Sequence, residues 1–465
     1  MPLPIISVAQ MRDWEQRTWA GGVSEESVMA NAGQAVAQSA LAMTPEGGTV
    51  LLIVGKGNNG GDTRIAGEHL SGRLQILIDV KNPVSALREF KHALDQRPDL
   101  IVDGLFGIGL NRDLEEDHRE LVRAINSTKI PVLAVDCPSG LNADTGKAMG
   151  AAIMAKRTIT LGTPKIGLLQ SCADDSVGTI EVADRIGLLG ESPTSDQLWL
   201  TTADMHGMPP ERMPSGHKGV YGHLGIIAGS TGYHGAACLC ARAALRARPG
   251  LVSVFTPSHQ AVASQLQSAM VHPWSADVEG LMSACTAMVI GPGLAGPDVP
   301  DCLRTVACQL WCESPMPIIV DASALDWLPA GKTPENTTRV LTPHPGEAAR
   351  MLGCKSDKVQ QGRLAAARQL AATYDATIVL KGRHTIIGQA EGPVLVNPTG
   401  NCGLAQGGSG DVLAGFLGGL LAQPQFHNCT VQAIAYAVWQ HGHAADQLEA
   451  NGDFWGMDEL INALG

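Results

Sequence analysis

Aromatic side chains are scarce in this chain: eight Trp, six Phe and four Tyr make up 4% of 465 residues. That scarcity argues against an aromatic-rich binding surface. Basic charge is also short, with 33 Lys and Arg against 45 Asp and Glu and a net charge of −12. No basic run or stripe occurs, which excludes the phosphate-neutralising mode of nucleic-acid binding. No apolar run approaches the roughly 18–20 residues of a membrane helix. The longest, Ala414–Ala422, is about half that and glycine-rich. The N-terminal MPLPIISVAQMRDWEQ has neither a basic segment leading into an apolar one nor Arg/Ser enrichment, so no targeting peptide is expected. Eleven cysteines occur without a C-x-x-C pair. An odd, scattered set reads as reduced thiols in a cytoplasmic protein, without structural zinc. What the chain does have is 45% apolar residues, 17% charged residues and 54 glycines. It should therefore fold into packed cores, with two to four domains as the prior from length. The glycines suggest tight strand–helix turns and sites lined by backbone.

Short apolar runs alternate with helical patterns, which predicts parallel sheets covered on both faces. In the first half, helices are expected at Val8–Trp19 and Glu26–Leu41, and strands at Val50–Val54, Leu74–Val80, Leu100–Val102 and Val132–Val135. The segment Gly187–Ser215, with Pro193, Pro209, Pro210 and Pro214, reads as an irregular junction. Domains are accordingly expected at 1–200 and 201–465. The second half restarts with Leu224–Ala228 and continues with strands at Leu251–Phe255, Ala287–Ile290, Ile318–Val320, Arg339–Leu341 and Thr377–Leu380. Helices are expected at Leu364–Tyr374, Val412–Ala422 and Val431–Ala445.

In open parallel sheets, ligands bind beyond the C-terminal ends of the strands. Three polar clusters fall there in the first half. Gly55-Lys56-Gly57-Asn58-Asn59-Gly60-Gly61-Asp62 follows Val54 and reads as a phosphate-approaching loop ahead of a helix at Arg64–Leu70. Asp103 precedes the glycine-rich Gly107-Ile108-Gly109, and Asp136 precedes Pro138-Ser139-Gly140. Asn59, Asp103 and Ser139 offer hard oxygen ligands for a cation. Asp136 is placed for acid/base work. A single Asp at a strand end is more often a helix cap; three clusters at successive ends are harder to explain that way.

These segments, with Val28-Met29-Ala30-Asn31-Ala32-Gly33 before them and the run to Gly146 after them, resemble the NAD(P)H-hydrate epimerase domain. The resemblance covers residues 8–187 and implies a Rossmann-like three-layer sandwich that interconverts the R and S hydrates of NADH or NADPH. It implies a potassium ion on Asn59, Asp103 and Ser139. It implies substrate contacts from Asn58, Asn59, Gly60, Gly61 and Asp62, from Gly107, Ile108, Gly109, Leu110, Asn111, Arg112 and Asp113, and from a catalytic Asp136. This chain departs from the pattern in carrying Thr63 for a usual Gly, where a left-handed backbone would not tolerate threonine. Ala30 replaces a usual Glu, and Lys56 adds a charge that favours phosphate. The stretch from Asp62 to Asp103 is short, as though part of a strand–helix unit were missing.

Near the C-terminus, Asn397-Pro398-Thr399-Gly400-Asn401 precedes Gly407-Gly408-Ser409-Gly410-Asp411 and an apolar helix. Glycines at a helix start expose unpaired N–H groups that stabilise negative charge, with Asp411 beside them to move a proton. His217-Lys218-Gly219, Gly291-Pro292-Gly293-Leu294, Thr342-Pro343-His344-Pro345-Gly346-Glu347 and Lys381-Gly382-Arg383-His384-Thr385 flank further predicted strands. A lone His such as His344 is more often structural, and a lone Lys such as Lys381 more often solvated. Between two prolines at a strand end, however, His344 is a rigidly held donor, and Lys381 and Thr385 can reach phosphates. This half resembles the ADP/ATP-dependent NAD(P)H-hydrate dehydratase domain, a ribokinase-like α/β fold. The resemblance runs from His217 to Leu460. It implies that Asp411 is the catalytic acid/base, that Ala236, Gly293, His344 and Asp411 touch the hydrate, and that Lys381, Gly382, Arg383, His384, Thr385 and Gly410 hold the adenine nucleotide, with Mg2+. ADP or ATP would be the co-substrate. Partners would be NAD(P)H hydrate and adenine nucleotide, not nucleic acid or membrane, in a homo-oligomer.

Two other readings stay open from sequence. One is a ribokinase-like kinase of a small alcohol. The other is an active dehydratase beside a non-catalytic N-terminal sensing or assembly module.

Overall fold

The computed structural model describes residues 1–275, 278–452 and 454–465. The chain divides into two units, Leu3–Asp196 and Gln197–Gly465, the latter together with Met1 and Pro2.

The first unit opens with helices α1 (Val8–Ala20) and α2 (Glu25–Met43). Ser7 starts α1 by accepting the Gln10 N–H, while the Gln10 side chain accepts the Ser7 N–H. Six parallel strands follow: β1 (Thr49–Val54), β2 (Leu74–Asp79), β3 (Leu100–Gly104), β4 (Val132–Val135), β5 (Arg157–Leu161) and β6 (Thr179–Ala183). Their order in the sheet is β2-β1-β3-β4-β5-β6. All six residues of β1 are buried, as a strand with two covered faces requires. Val50, Leu52 and Val54 pack with Val28 and Val36 of α2 and Ala66 of α3 (Asn58–Glu68). Leu51 and Ile53 pack on the other face with Phe90, Leu121 and Val122 of the helices Pro83–Ala93 and Glu116–Asn126. The result is three layers, in which each buried aliphatic side chain contributes roughly 1.5–3 kcal/mol.

Two expectations change here. The glycine-rich segment is a loop only as far as Gly57, and α3 begins at Asn58. Gly60 and Gly61 serve close packing rather than loop conformation. A Cβ on Gly60 would stand 2.1 Å from the Gly55 carbonyl oxygen, and one on Gly61 would stand 2.5 Å from Met29 Sδ. Thr63 is therefore helical and fully buried, donating to the Asn59 carbonyl at 2.8 Å, so no left-handed backbone opposes it. The short stretch from Asp62 to Asp103 also contains a complete strand, β2, and the helix Pro83–Ala93.

The second unit carries strands β7 (Gln197–Trp199), β8 (His223–Ile227), β9 (Leu251–Thr256), β10 (Met270–Pro273), β11 (Ala287–Ile290), β12 (Ile318–Val320), β13 (Arg339–Leu341), β14 (Thr377–Leu380), β15 (Ile386–Gly388) and β16 (Val394–Val396). They run β7-β16-β15-β14-β13-β12-β11-β8-β9-β10. Only the β14–β15 and β15–β16 pairs are antiparallel. Leu224, Ile226 and Val289 face helices α4 (His234–Arg246), α7 (Ser409–Leu421) and α8 (Thr430–Ala450). Ile227, Met288 and Ile290 face Trp311 and, on α6 (Arg363–Tyr374), Leu370. The helix α5 (Pro345–Met351) follows β13. Strand β7 lies inside the segment expected to be irregular, and β5, β6, β10, β15 and β16 lack the long apolar runs that mark strands in sequence. No helix among the described residues is long and apolar enough to cross a membrane.

Candidate active sites

In the first unit, a cleft of about 900 Å3 opens beyond the C-terminal ends of β1, β3 and β4. Asp136 follows β4 with a left-handed backbone, φ 62°. Aspartate is among the side chains that adopt this region most readily. Its Oδ1 accepts the Leu161 N–H at 3.0 Å, the Thr160 hydroxyl at 3.2 Å and Lys165 Nζ at 2.6 Å. Lys165 is fully buried and donates also to the Leu161 carbonyl at 2.7 Å. Asp136 belongs to the cleft lining.

Asp62, Glu15 and Glu25 line the same cleft. Asp62 is buried, and its carboxyl has no hydrogen-bond or ion-pair partner among the described residues. Burial, with the charges of Asp136, Glu15 and Glu25, pushes its pKa up to about 8. Burial and Asp136 also raise Glu15. Asn58 reaches across to Glu25 Oε1 at 2.6 Å. Residues Gly107 to Asp113 form the facing wall, with Arg119 3.6 Å from Asp113.

Beneath the cleft, Asp103 is fully buried. Its Oδ1 accepts the Ser139 hydroxyl at 2.6 Å, and its Oδ2 accepts the Ser139 N–H at 2.8 Å. Burial raises its pKa to about 6, held back by those Ser139 hydrogen bonds. Asn59 donates to the Phe106 carbonyl at 3.0 Å, and Ser139 Oγ lies 3.2 Å from the same oxygen. Asn59, Asp103 and Ser139 are thus brought together around Phe106. Gly60 and Gly61 point into the packing instead.

In the second unit, α4 and α7 run parallel with their backbones almost touching. A Cβ on Gly415 would stand 2.0 Å from the Cys240 carbonyl oxygen, and one on Gly419 would stand 2.5 Å from that of Ala244. The same offset puts Asp411 opposite Ala236, so two helix N-termini converge on one spot. Gly293, with φ 67°, closes the other side: a Cβ there would meet the Tyr233 carbonyl at 2.5 Å and Ala236 Cβ at 2.8 Å. Asp411 is pushed up to about 7 by burial and the neighbouring charge of Asp321, with Lys381 opposing.

Lys381 follows β14, with Nζ 2.7 Å from Asp321 Oδ1 and 3.9 Å from Glu347 Oε2. Burial alone would lower its pKa, but Asp321 and Glu347 raise it, so the ammonium is secure. Thr342 donates to the same Asp321 oxygen at 2.7 Å. A Cβ on Gly410 would lie 3.1 Å from Lys381 Nζ, which places Gly410 against this pair. His344 caps α5: its Nδ1 accepts the Gly346 N–H at 3.0 Å, and Glu347 accepts the His344 N–H at 2.7 Å. With Nδ1 accepting, the proton sits on Nε2. Arg363 of α6 holds the turn after β14, donating to the carbonyls of Leu380 and His384 at 3.1 and 3.5 Å. Burial and the two arginines lower His384 to about 3, so its ring stays neutral. Asp446 of α8 accepts the Gly400 N–H at 2.9 Å and Asn401 Nδ2 at 3.1 Å, fixing that loop.

Lys165, Glu15, Asp321, Arg363 and Asp446 did not emerge as site residues from sequence. Lys165 stands just past the end of β5, where the strand-end rule would have found it had that strand been read.

Residues 224–462 match a family model described as NAD(P)H-hydrate dehydratase, and residues 25–96 and 72–167 match one described as YjeF-related protein N-terminus. A bifunctional NAD(P)H-hydrate repair enzyme of Coxiella burnetii is 35% identical over 96% of this chain and 95% of its own. Another, from Gloeobacter violaceus, is 37% identical over 99% of this chain and 96% of its own. A solved ribokinase-like superfamily protein of Enterococcus faecalis superposes with a TM-score of 0.51 at 27% identity, covering 59% of this chain and 96% of its own.

Proposed function

This chain belongs to the bifunctional NAD(P)H-hydrate repair enzymes, and from that membership we propose which residues carry each of its two reactions. It epimerises hydrated NAD(P)H and dehydrates it back to NAD(P)H. We assign dehydration to the second unit and epimerisation to the cleft of the first.

The observation that carries the first assignment is the convergence of α4 and α7 on Asp411. Two helix N-termini so placed suit the phosphates of a nucleotide. Asp411 removes the proton of the ring hydroxyl as that oxygen takes a phosphoryl group from ADP, and AMP leaves. Phosphate then leaves that carbon and the neighbouring ring carbon gives up a proton to it, which restores the carbon–carbon double bond. The Lys381–Asp321 pair places one fixed cation beside Gly410, and the Arg363-anchored turn from Lys381 to Thr385 holds the nucleotide. Ala236, Gly293 and His344 take the hydrate, with the His344 Nε2–H as donor. Magnesium bound with the nucleotide would neutralise charge on the transferring phosphate.

In the first unit, Asp136 is the proton-handling group, and Asn58, Asp62 and the wall from Gly107 to Asp113 hold the substrate. A potassium ion fits Asn59, Asp103 and Ser139: Asp103 is a fully buried carboxylate with no cation against it among the described residues. Bound there, the ion would compensate that charge and steady the turn at Phe106. Eleven unpaired cysteines support a cytoplasmic location.

The test is the Asp411→Asn variant given S hydrate and ADP. Loss of both NAD(P)H absorbance and AMP formation is expected. Turnover near that of the unmodified enzyme would refute the assignment.

A further inference from the structure

The cleft of the first unit contains two buried carboxyl groups with opposite surroundings. Asp136 has a full set of donors on one oxygen: the Lys165 ammonium, the Leu161 N–H and the Thr160 hydroxyl. Lys165 in turn is fully buried against it, its ammonium 2.6 Å from Oδ1, a charge-assisted contact. Asp62 is equally buried but, among the described residues, has neither a hydrogen-bond donor nor an ion-paired cation of its own. It faces Asp136, Glu15 and Glu25, all acidic, and Lys165 is already committed to Asp136. A carboxylate so placed would be uncompensated, and the protonated form is the one that fits.

We propose that this cleft interconverts the hydrate epimers with two carboxyl groups in opposite protonation states, Asp62 as the acid and Asp136, fixed by Lys165, as the base. The inference rests on assigning epimerisation to this cleft. The hydroxyl-bearing ring carbon is bonded to the ring nitrogen. Asp62 gives its proton to the hydroxyl; the C–O bond breaks as the nitrogen lone pair forms a C=N bond, and water leaves. A water then adds to the opposite face of that carbon, returning the electron pair to nitrogen and giving its proton to Asp136. One water leaves, one enters, and one proton has moved between the carboxyls. The reverse direction retraces these steps from the form protonated on Asp136, and the open cleft lets solvent exchange the two forms. No redox partner is needed. The raised pKa of Asp62, about 8, agrees with its role as the acid. Lys165 is a positioning residue in this scheme, because it acts through Asp136.

The experiment uses the full-length enzyme and a single purified hydrate epimer without nucleotide, following the other epimer by chromatography. Asp62→Asn is expected to slow epimerisation by about 100-fold or more, and Asp62→Glu to restore part of it. The unmodified enzyme should lose epimerisation as pH rises past about 8, because Asp62 gives up its proton; the residual rate of Asp62→Asn should lack that limb. Lys165→Met should also lose activity, and a thermal-unfolding transition of the first unit matching that of the unmodified enzyme reports whether each variant is folded. A full epimerisation rate in Asp62→Asn, or a loss confined to Glu15→Gln, overturns the pairing. If Asp136→Asn also keeps its full rate, the assignment of epimerisation to this cleft fails as well. If Asp136→Asn alone is inactive, the cleft stands and only the two-carboxyl scheme falls.

Discussion

Gly415→Ala tests the idea that helix spacing builds the dehydration site. The added Cβ would stand 2.0 Å from the Cys240 carbonyl oxygen, about 1.4 Å short of ordinary contact. The obstacle is backbone in a helix, so it cannot swing aside; α4 and α7 must separate. Overpacking of this kind costs about 1–3 kcal/mol. For a unit of this size, that is a fall in Tm of about 2–12 °C. The same separation moves Asp411 away from Ala236 by a fraction of the shortfall, and misplacement approaching 1 Å can cost about 100-fold in rate. Thermal unfolding measures the first effect. ADP-dependent recovery of NAD(P)H absorbance from the S hydrate measures the second. Epimerisation should be untouched. A variant with unchanged Tm and unchanged dehydration would refute the reasoning, because the helices would then have had room to spare.

Further expectations follow from the same geometry. Asp411 must be ionised to take a proton and titrates at about 7, so kcat/KM for dehydration should rise as pH rises through 7; a flat profile from pH 6 to 8 contradicts that role. Gly104→Ala puts a Cβ 1.9 Å from Thr63 Oγ1 and should impair folding of the first unit and its epimerisation. Adding Thr63→Ala should recover only part of the loss, because the Cβ at position 63, 2.7 Å away, and the Asn59 carbonyl, 2.9 Å away, remain; a double variant no better than the single one would show that Thr63 Oγ1 is not the main obstacle. Lys381→Met leaves Asp321 buried without its cation and should raise the KM for ADP while destabilising the second unit by about 3–5 kcal/mol, read from denaturant unfolding.

Much of the site was legible because strands announce it. β1, β3 and β4 carry the apolar runs VLLIV, LIV and VLAV, so Asn58 to Asp62, Asp103 and Asp136 could be placed where those runs end. The glycines were visible but their work was not. Gly60, Gly61, Gly104 and Gly415 are there because another backbone or side chain presses against them, and sequence carries no record of that neighbour. Thr63 posed a problem only if its position used a left-handed backbone. In the structure it is helical and interlocks with Gly104 across α3 and β3. Lys165 was missed because β5, RTITL, mixes Thr with a charge and does not look like a core strand. The Asp321–Lys381 pair spans sixty positions of sequence and exists only once β12 and β14 are laid on either side of β13. On the assignment proposed above, a chain of net charge −12 would meet anionic nucleotides through paired helix N-termini rather than through a basic surface.

The most direct test of the whole account is an assay of separated R and S hydrates with ADP, run on the unmodified enzyme and on the Asp136→Ala and Asp411→Ala variants. The account predicts that the unmodified enzyme repairs both hydrates, Asp136→Ala repairs only the S form beyond the uncatalysed drift between epimers, and Asp411→Ala repairs neither while still interconverting them. An unmodified enzyme unable to use the R form, or an Asp411→Ala variant that still regenerates NAD(P)H, would contradict it.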